Sequence, residues 1–398
     1  MKNLTLLILS LILLVACKTE NKFNVDTNLA YCKQQVEKSL PHLEKSDMMP
    51  RNIISDTIKS WHCTGIRDWT SGFWPGILWY TYESAKDTTI LKEAERFSEA
   101  LYPIVNYKAD NHDLGFMLYC SLGNGYRLTQ NHQYKEILLR GADSLAVLYN
   151  PKVGTINSWP GFNKKMNWHH NTIIDNMLNL EILYWAAKNG GSPKLAKIAT
   201  HHAEITMNNH FREDFSTYHV IAYDTITGKK VAGVTHQGYS DSSMWARGQS
   251  WAIYGFTMCY RETKDPEFLK TAQKATERFF RDIPEDYIPY WDYDDPAIPN
   301  APRDASAAAV TCSALIELSQ YVDDPKEKDN YMQKAMKIIE SLSSAEYQSR
   351  DKNNAFLLHA TGHKPNNSEI EASIIYADYY YIEALIRLKQ LNETGKLF

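Results

Sequence analysis

Along most of the chain apolar residues recur with a period near 3.6, and strict alternation is scarce, so the pattern predicts helices joined by loops. Twelve helical segments fall into six consecutive pairs: 28–45 with 74–84, 89–107 with 113–129, 133–149 with 171–188, 193–211 with 243–262, 266–282 with 305–321, and 325–344 with 369–391. The two members of a pair differ in character. One is amphipathic with its charges on one side, as in KEAERFSEALYPIV; the other is small or apolar on most faces, as in DASAAAVTCSALIEL and NTIIDNMLNLEILYWAA. A helix of the second kind must be covered on both sides. Six of them ringed by six amphipathic helices make an all-α (α/α)6 barrel, a six-hairpin toroid. A solenoid of helical hairpins is the competing architecture, but it leaves the apolar member of each pair unexplained.

The loops richest in chemistry stand just before the predicted inner helices: DWTSGFWPG, NHDLGF, the 159–170 segment, VAGVTHQGYSDSSMWARGQSW, PRDASA and GHKPNNSE. In the toroid all six converge on one end, where helix N-termini favour anions. Within the 231–251 stretch, Asp241, Ser242 and Ser243 are N-cap residue types, and the helix after them carries Arg247 and Trp251 four apart on one face. A guanidinium beside a flat ring suits a ligand that offers a carboxylate and a sugar face. The plainer reading pairs Arg247 with a nearby acid and sinks Trp251 into the core. Gly233, Thr235, His236, Gln237 and Gly238 concentrate hydrogen-bonding capacity between glycines just upstream, as a binding loop does.

The first residues, MKNLTLLILSLILLVACK, read as a secretory signal over 1–16 ending in a lipobox at Cys17, too short an apolar run for a membrane span. The expected mature protein is exported, lipid-anchored at Cys17, at the periplasmic or cell surface, with a short tether over 17–27 and a single domain over 28–398. A net charge of −4 argues against nucleic acid and against a polybasic membrane surface. The five cysteines after Cys17 are an odd number without CxxC spacing, which predicts neither a disulfide framework nor a zinc site. The 10 Trp and 25 Tyr suit a protein that stacks sugars, and equally a large helical core.

Asp175 sits among Ile173, Ile174, Met177, Leu178, Leu180 and Leu183, surroundings in which desolvation is expected to raise its pKa and leave a proton on it at neutral pH. The alternative is a buried carboxylate paired with Asn179 or an Arg. Asp113 opens the preceding inner helix, where a cap is the simplest role, but two carboxylates at the loop-rich end can form an acid/base pair. His169, His170, His201 and His202 lack metal-ligand spacing; His219 leads into the glycine loop as a candidate acid/base or hydrogen-bonding residue.

DWTSGFWPG, HDLGFM, NTIIDNMLNL, TYHVIAYD, THQGYSDSSMWARGQSW and TGHKP followed by ADYYYIEALIRL, in that order from about 61 to 391, resemble the unsaturated glucuronyl hydrolases, glycoside hydrolase family 88. The resemblance implies the (α/α)6 barrel and removal of a 4,5-unsaturated uronic acid from the non-reducing end of lyase-generated oligosaccharides of glycosaminoglycan or ulvan type. It implies hydration of a vinyl ether: an Asp protonates C4 and helps activate the water that adds at C5, and the hemiketal then opens to release the aglycone. It places the acid/base at Asp175 and its partner at Asp113. It implies sugar binding by Gly233, Thr235, Gln237, Arg247 and Trp251, stacking on Trp69 and Trp159, and an auxiliary role for His219. No metal or organic cofactor is implied. GHKPNNSE departs from the family pattern, leaving Lys364 and Ser368 either to contact a sulfate or to cap the last helix. An unsaturated rhamnogalacturonyl hydrolase and a non-catalytic glycan-binding lipoprotein are the alternatives.

Overall fold

A computed structural model describes residues 23–55 and 57–397; Cys17 and the signal-like segment lie outside them. Six helices form a closed inner ring. They are Phe73–Ala85, the run from Gly115–Gly123 into Asn124–Thr129, the broken pair Asn176–Asn179 and Glu181–Lys188, then Ala246–Thr263, Ala305–Leu318 and Ile375–Thr394. Each packs against the next, and the last returns to the first, which closes an (α/α)6 barrel. Val25–Ser39, Thr88–Glu99, His132–Ala146, Lys194–Asn209, Pro266–Arg281 and Pro325–Leu342 lie outside, each against one or two inner helices.

The physical cause is the pattern already seen. Every residue of Ala305–Leu318 is buried, so this helix has no solvent face. Pro266–Arg281 instead buries Phe268, Thr271, Ala272, Ala275, Thr276 and Phe279, one stripe at helical spacing, behind an Asp265 N-cap that accepts from the Glu267 N–H. Asp87, Asn131 and Asp324 cap other outer helices in the same way. The lumen is held by buried and half-buried charges: Arg261 pairs with Glu317 (2.9 Å), Glu262 (3.0 Å) and Glu181, and Arg387 with Glu317 (3.1 Å). Tyr80, Tyr254 and Ser313 donate to Glu383.

Three corrections follow. The third inner helix does not begin at Asn171: His170–Ile173 is a strand, paired antiparallel with Val220–Tyr223, which pairs in turn with Lys230–Val234. Asp241, Ser242 and Ser243 do not cap the next inner helix, which starts at Ala246 behind Trp245. The last one starts at Ile375 rather than 369, because Ser373–Ile374 pairs with the Met48–Ile53 strand. Gly115–Gly123 is wound as a π-helix, a form concentrated at functional sites, and a Cβ on Gly115 would lie 2.6 Å from Asn179 Cα, so two inner helices touch backbone to backbone just after Asp113. Cys32, Cys63, Cys120, Cys259 and Cys312 are free thiols. No helix among the described residues is long and apolar enough to cross a membrane.

Candidate active site

The predicted loops do meet at one end. Trp159 packs against the rings of His112 (6.4 Å), His219 (5.7 Å) and His236 (5.5 Å); His236 meets His363 (4.8 Å), and Arg247 reaches Asp304 and the Thr361 and Gly362 carbonyls. Trp69 stacks at a tilt on Tyr376 (5.1 Å) and stays half-buried.

Two carboxyls lie at the bottom, each beside a histidine. Asp113 Oδ1 is 3.4 Å from His112 Nε2, and Asp175 Oδ1 is 3.5 Å from His219 Nε2. Both separations are electrostatic contacts longer than an aligned hydrogen bond. Asp175 Oδ1, His112 Nε2 and His219 Nε2 are buried and make no hydrogen bond. Buried polar atoms are rarely left so, and three together mark a place built for a ligand.

The local structure fixes both rings. The His236 and Gln237 N–H groups donate to His219 Nδ1 at 3.0 and 3.1 Å, so the neutral ring carries its hydrogen on Nε2, toward Asp175. The strand pairing sets this up, since Ile174 N–H donates to the His219 carbonyl at 3.0 Å and sheet register thereby places His219 next to Asp175. On the other side Asn179 Oδ1 accepts from Phe116 N–H (2.8 Å), which orients its amide nitrogen to donate to His112 Nδ1 (3.3 Å). His112 then also presents Nε2–H to its carboxyl. Burial pushes His112 down to about 4, partly offset by the Asp175 charge.

The two carboxyls are driven apart. Burial raises Asp113 well above the usual carboxylate range, and the charges of Asp175, Asp68 and Asp110 add to this. Burial also pushes Asp175 upward, but the close approach of the His219 ring, with His112 and Arg247, outweighs it and holds Asp175 below its ordinary value. The expectation that desolvation leaves a proton on Asp175 is therefore corrected: without substrate the surroundings favour a proton on Asp113 over one on Asp175.

Arg247 is not an open fork. It is 1% exposed; Nη1 donates to Asp304 Oδ2 (2.8 Å) and the Thr361 carbonyl (2.6 Å), and Nη2 donates to the Gly362 carbonyl (2.6 Å). Trp251 is entirely buried, against Phe116 and Tyr380, and offers no face to a sugar. The plainer reading of both residues is the one the structure bears out. Gly233 lies in a strand where a Cβ would sit 2.7 Å from the Tyr218 ring, so this glycine serves packing. Thr235 Oγ1 accepts from Gly238 N–H and Gln237 Nε2 reaches the Gly362 carbonyl at 3.4 Å, closing the loop over His219. Ser368 is exposed on the rim, and Lys364 is held by Asp295 (2.7 Å).

A Glycosyl Hydrolase Family 88 model matches residues 41–390. Unsaturated glucuronyl hydrolase of Formosa agariphila is 39% identical over 405 residues, covering 98% of this chain and 99% of that protein. The chain belongs to glycosyl hydrolase family 88. An unsaturated chondroitin disaccharide hydrolase of Streptococcus agalactiae is 35% identical over 80% of this chain and 81% of its own. Among solved structures, an unsaturated glucuronyl hydrolase specific for heparin superposes with a TM-score of 0.87 at 42% identity, over 93% of this chain and 98% of that one. A variant of such a hydrolase bound to dGlcA-Glc-Rha-Glc superposes with a TM-score of 0.85 at 30% identity, over 92% of this chain and 96% of that one.

This family 88 chain is a glycosidase. Its site also contains residues that sequence reading missed. His112 had a signal, its place directly before Asp113, and Asn179 was weighed only as a partner for Asp175, whereas Asp304 and His363 act through partners 57 and 127 residues away and carried none.

Proposed function

We propose that the protein removes a 4,5-unsaturated uronic acid from the non-reducing end of lyase-generated oligosaccharides by hydrating its double bond, with Asp175 and Asp113 as the acid/base pair. The observation that carries this reading is the pair itself: two buried carboxyls with oppositely shifted affinities for a proton, each faced by a histidine Nε2–H.

The chemistry follows from the substrate. The ring oxygen feeds electrons into C4=C5, so C4 accepts a proton and positive charge develops at C5. Before substrate enters, the pair holds one proton, on Asp113. The uronate brings its own carboxylate, a like charge that pulls Asp175 upward and draws a proton onto it. Asp175 gives that proton to C4, becomes the carboxylate again, and takes one proton from the water that adds at C5. His219, with its hydrogen on Nε2, holds the Asp175 carboxylate in place. Asp113 binds the sugar hydroxyls. Opening of the C5 hemiketal leaves an unstable hemiacetal at C1, from which the aglycone departs. Trp159 and Trp69 are the half-buried rings at hand for stacking, with Thr235, Gln237 and Ser368 on the rim.

The related proteins described as acting on chondroitin disaccharides or as specific for heparin support a glycosaminoglycan-type substrate. Export and a lipid anchor at Cys17 complete the proposal, supported by the lipobox Leu14-Val15-Ala16-Cys17. Incubation with unsaturated disaccharides from chondroitin, heparin, hyaluronan and ulvan, followed by the ultraviolet absorbance of the conjugated double bond, tests the activity. Absorbance falls with at least one of them; a flat trace across all four contradicts the proposal. Metabolic labelling with a radiolabelled fatty acid tests the anchor, and Cys17→Ser must abolish the label.

A further inference from the structure

The barrel lumen has a second end. Four buried rings close a circuit across it: Phe73 meets Phe116 (5.4 Å), Phe116 meets Trp251 (5.5 Å), Trp251 meets Tyr380 (5.5 Å), and Tyr380 returns to Phe73 (6.1 Å). On one side of this layer stand Asp113 and Arg247, which precede Phe116 and Trp251 along their helices. On the other side lies a cavity of about 920 Å³, walled by residues that follow the rings along the same helices, such as Tyr119, Tyr254 and Glu383. Phe116 and Tyr380 are its floor.

The charges around this cavity are already matched. Arg127 pairs with Glu83 (2.6 Å), Lys188 with Glu262 (2.6 Å), Arg261 with Glu181, Glu262 and Glu317, and Arg387 with Glu317 (3.1 Å). The remaining cation of the wall, Lys396, is exposed near the end of the chain. A charged ligand has to draw one partner out of such a pair and strand the other, which is costly away from water. A neutral ligand leaves the pairs intact.

The rest of the wall suits hydroxyl groups and a sugar face. Trp185 is half-buried, with Tyr126 edge-on at 5.3 Å and Tyr119 at 6.2 Å. The hydroxyls of Tyr119 and Tyr380 have no hydrogen-bond partner among the described residues, although the Tyr380 ring is only 2% exposed. A tyrosine hydroxyl both donates and accepts, as a sugar hydroxyl does, and a tryptophan face stacks on the C–H face of a pyranose. Concave aromatic spaces of this size with a few converging polar groups are where proteins hold small molecules.

We propose that this far end of the barrel is a second, non-catalytic carbohydrate site that takes a neutral saccharide, with Trp185 as its stacking ring and Tyr119 and Tyr380 as hydroxyl partners. It stands independently of the uronate reading, because Asp113 and Asp175 lie beyond the four-ring layer.

Calorimetry of the full chain with cellobiose, a neutral disaccharide, tests the site. The wild type binds it, Trp185→Ala weakens binding by roughly 3- to 10-fold, and Trp185→Phe, which keeps a ring, retains most of it. Glucose displaces cellobiose, whereas glucuronate and glucosamine, each carrying one charge on the same skeleton, do not. Cys120 lies half-buried in the same wall and gives a second reading: cellobiose slows modification of its thiol by methyl methanethiosulfonate, followed by peptide mass. No binding heat, an affinity unchanged in Trp185→Ala, or Cys120 modified at the same rate with and without cellobiose overturns the site. Displacement by the charged sugars as readily as by glucose overturns its neutral class. A wild type that binds cellobiose in this way but turns over no unsaturated disaccharide sinks the uronate reading and leaves this site standing.

Discussion

Arg247→Met tests whether Arg247 is a strut or a substrate clamp. The side chain is 1% exposed and its partner Asp304 is fully buried, so the substitution strands a carboxylate in the interior and frees the Thr361 and Gly362 carbonyls. Breaking a buried ion pair from one side costs about 3–5 kcal/mol. Asp304 keeps some compensation, since its Oδ1 also accepts from the Ser306 N–H (3.0 Å), which places the expected loss toward the lower end of that range. Asp304→Asn in the same chain removes the stranded charge and keeps the cap, so the double variant recovers stability, with a coupling of about 1.5 kcal/mol or more. Equilibrium urea unfolding of the four proteins measures this cycle. Turnover falls as well, because the 361–363 segment carries His363 against His236, whose N–H holds His219 beside Asp175. A clamp that acts only on substrate predicts a higher KM with stability untouched. A change in unfolding free energy below about 0.5 kcal/mol for Arg247→Met refutes the strut, since surface-like substitutions fall in that range.

Asp175→Asn and Asp113→Asn should each cut kcat by about 10²–10⁴-fold while retaining disaccharide binding by calorimetry, and full turnover in both sinks the acid/base assignment. The profile of kcat/KM against pH should fall on the alkaline side as Asp113 loses the proton that the pair holds, while protonation of Asp175, the proton donor to C4, brings no loss on the acid side; a rate that does not fall as pH rises contradicts the one-proton pair. The same shift has a stability sign. Asp113 has a raised folded-state pKa, so its contribution is fully present below the unfolded carboxylate range and is lost as pH rises through the folded value; Asp113→Asn should therefore be more stable than wild type at alkaline pH, with the gap closing on acidification. Asn179→Leu, which removes the amide holding His112 Nδ1, should shift the alkaline limb of the rate profile; an unmoved limb would reduce Asn179 to a packing residue.

The barrel was legible because burial on two sides leaves a mark in composition. A helix such as Ala305–Leu318 has no room for a charged face, and no other role for six such segments, each paired with an amphipathic one, closes so simply. The convergence of loops followed from that ring, and Asp113 and Asp175 followed from the convergence. What stayed hidden depends on partners far away in sequence. Thr172-Ile173-Ile174 is β-branched and can either extend a helix or form a strand, and only pairing with Val220–Tyr223 decides it. The ionisation of Asp175 turns on His219, which arrives by that same sheet, so a reading of its apolar neighbours alone had the direction reversed. Arg247 and Trp251 share a helix face as expected, yet whether that face looks at a ligand or at Asp304 and Phe116 is set by helices packed from other parts of the ring.

The central claim is that bond cleavage begins with a proton added to C4 of the unsaturated sugar, and running the reaction in heavy water tests it most directly. The product is quenched early and its uronate-derived fragment read by nuclear magnetic resonance. Hydration predicts one deuterium at C4 for every aglycone released, in step with the loss of double-bond absorbance, and neither signal with Asp175→Asn. Release of the aglycone with C4 undeuterated and the double bond still present would mean displacement at the anomeric carbon, and would contradict hydration outright.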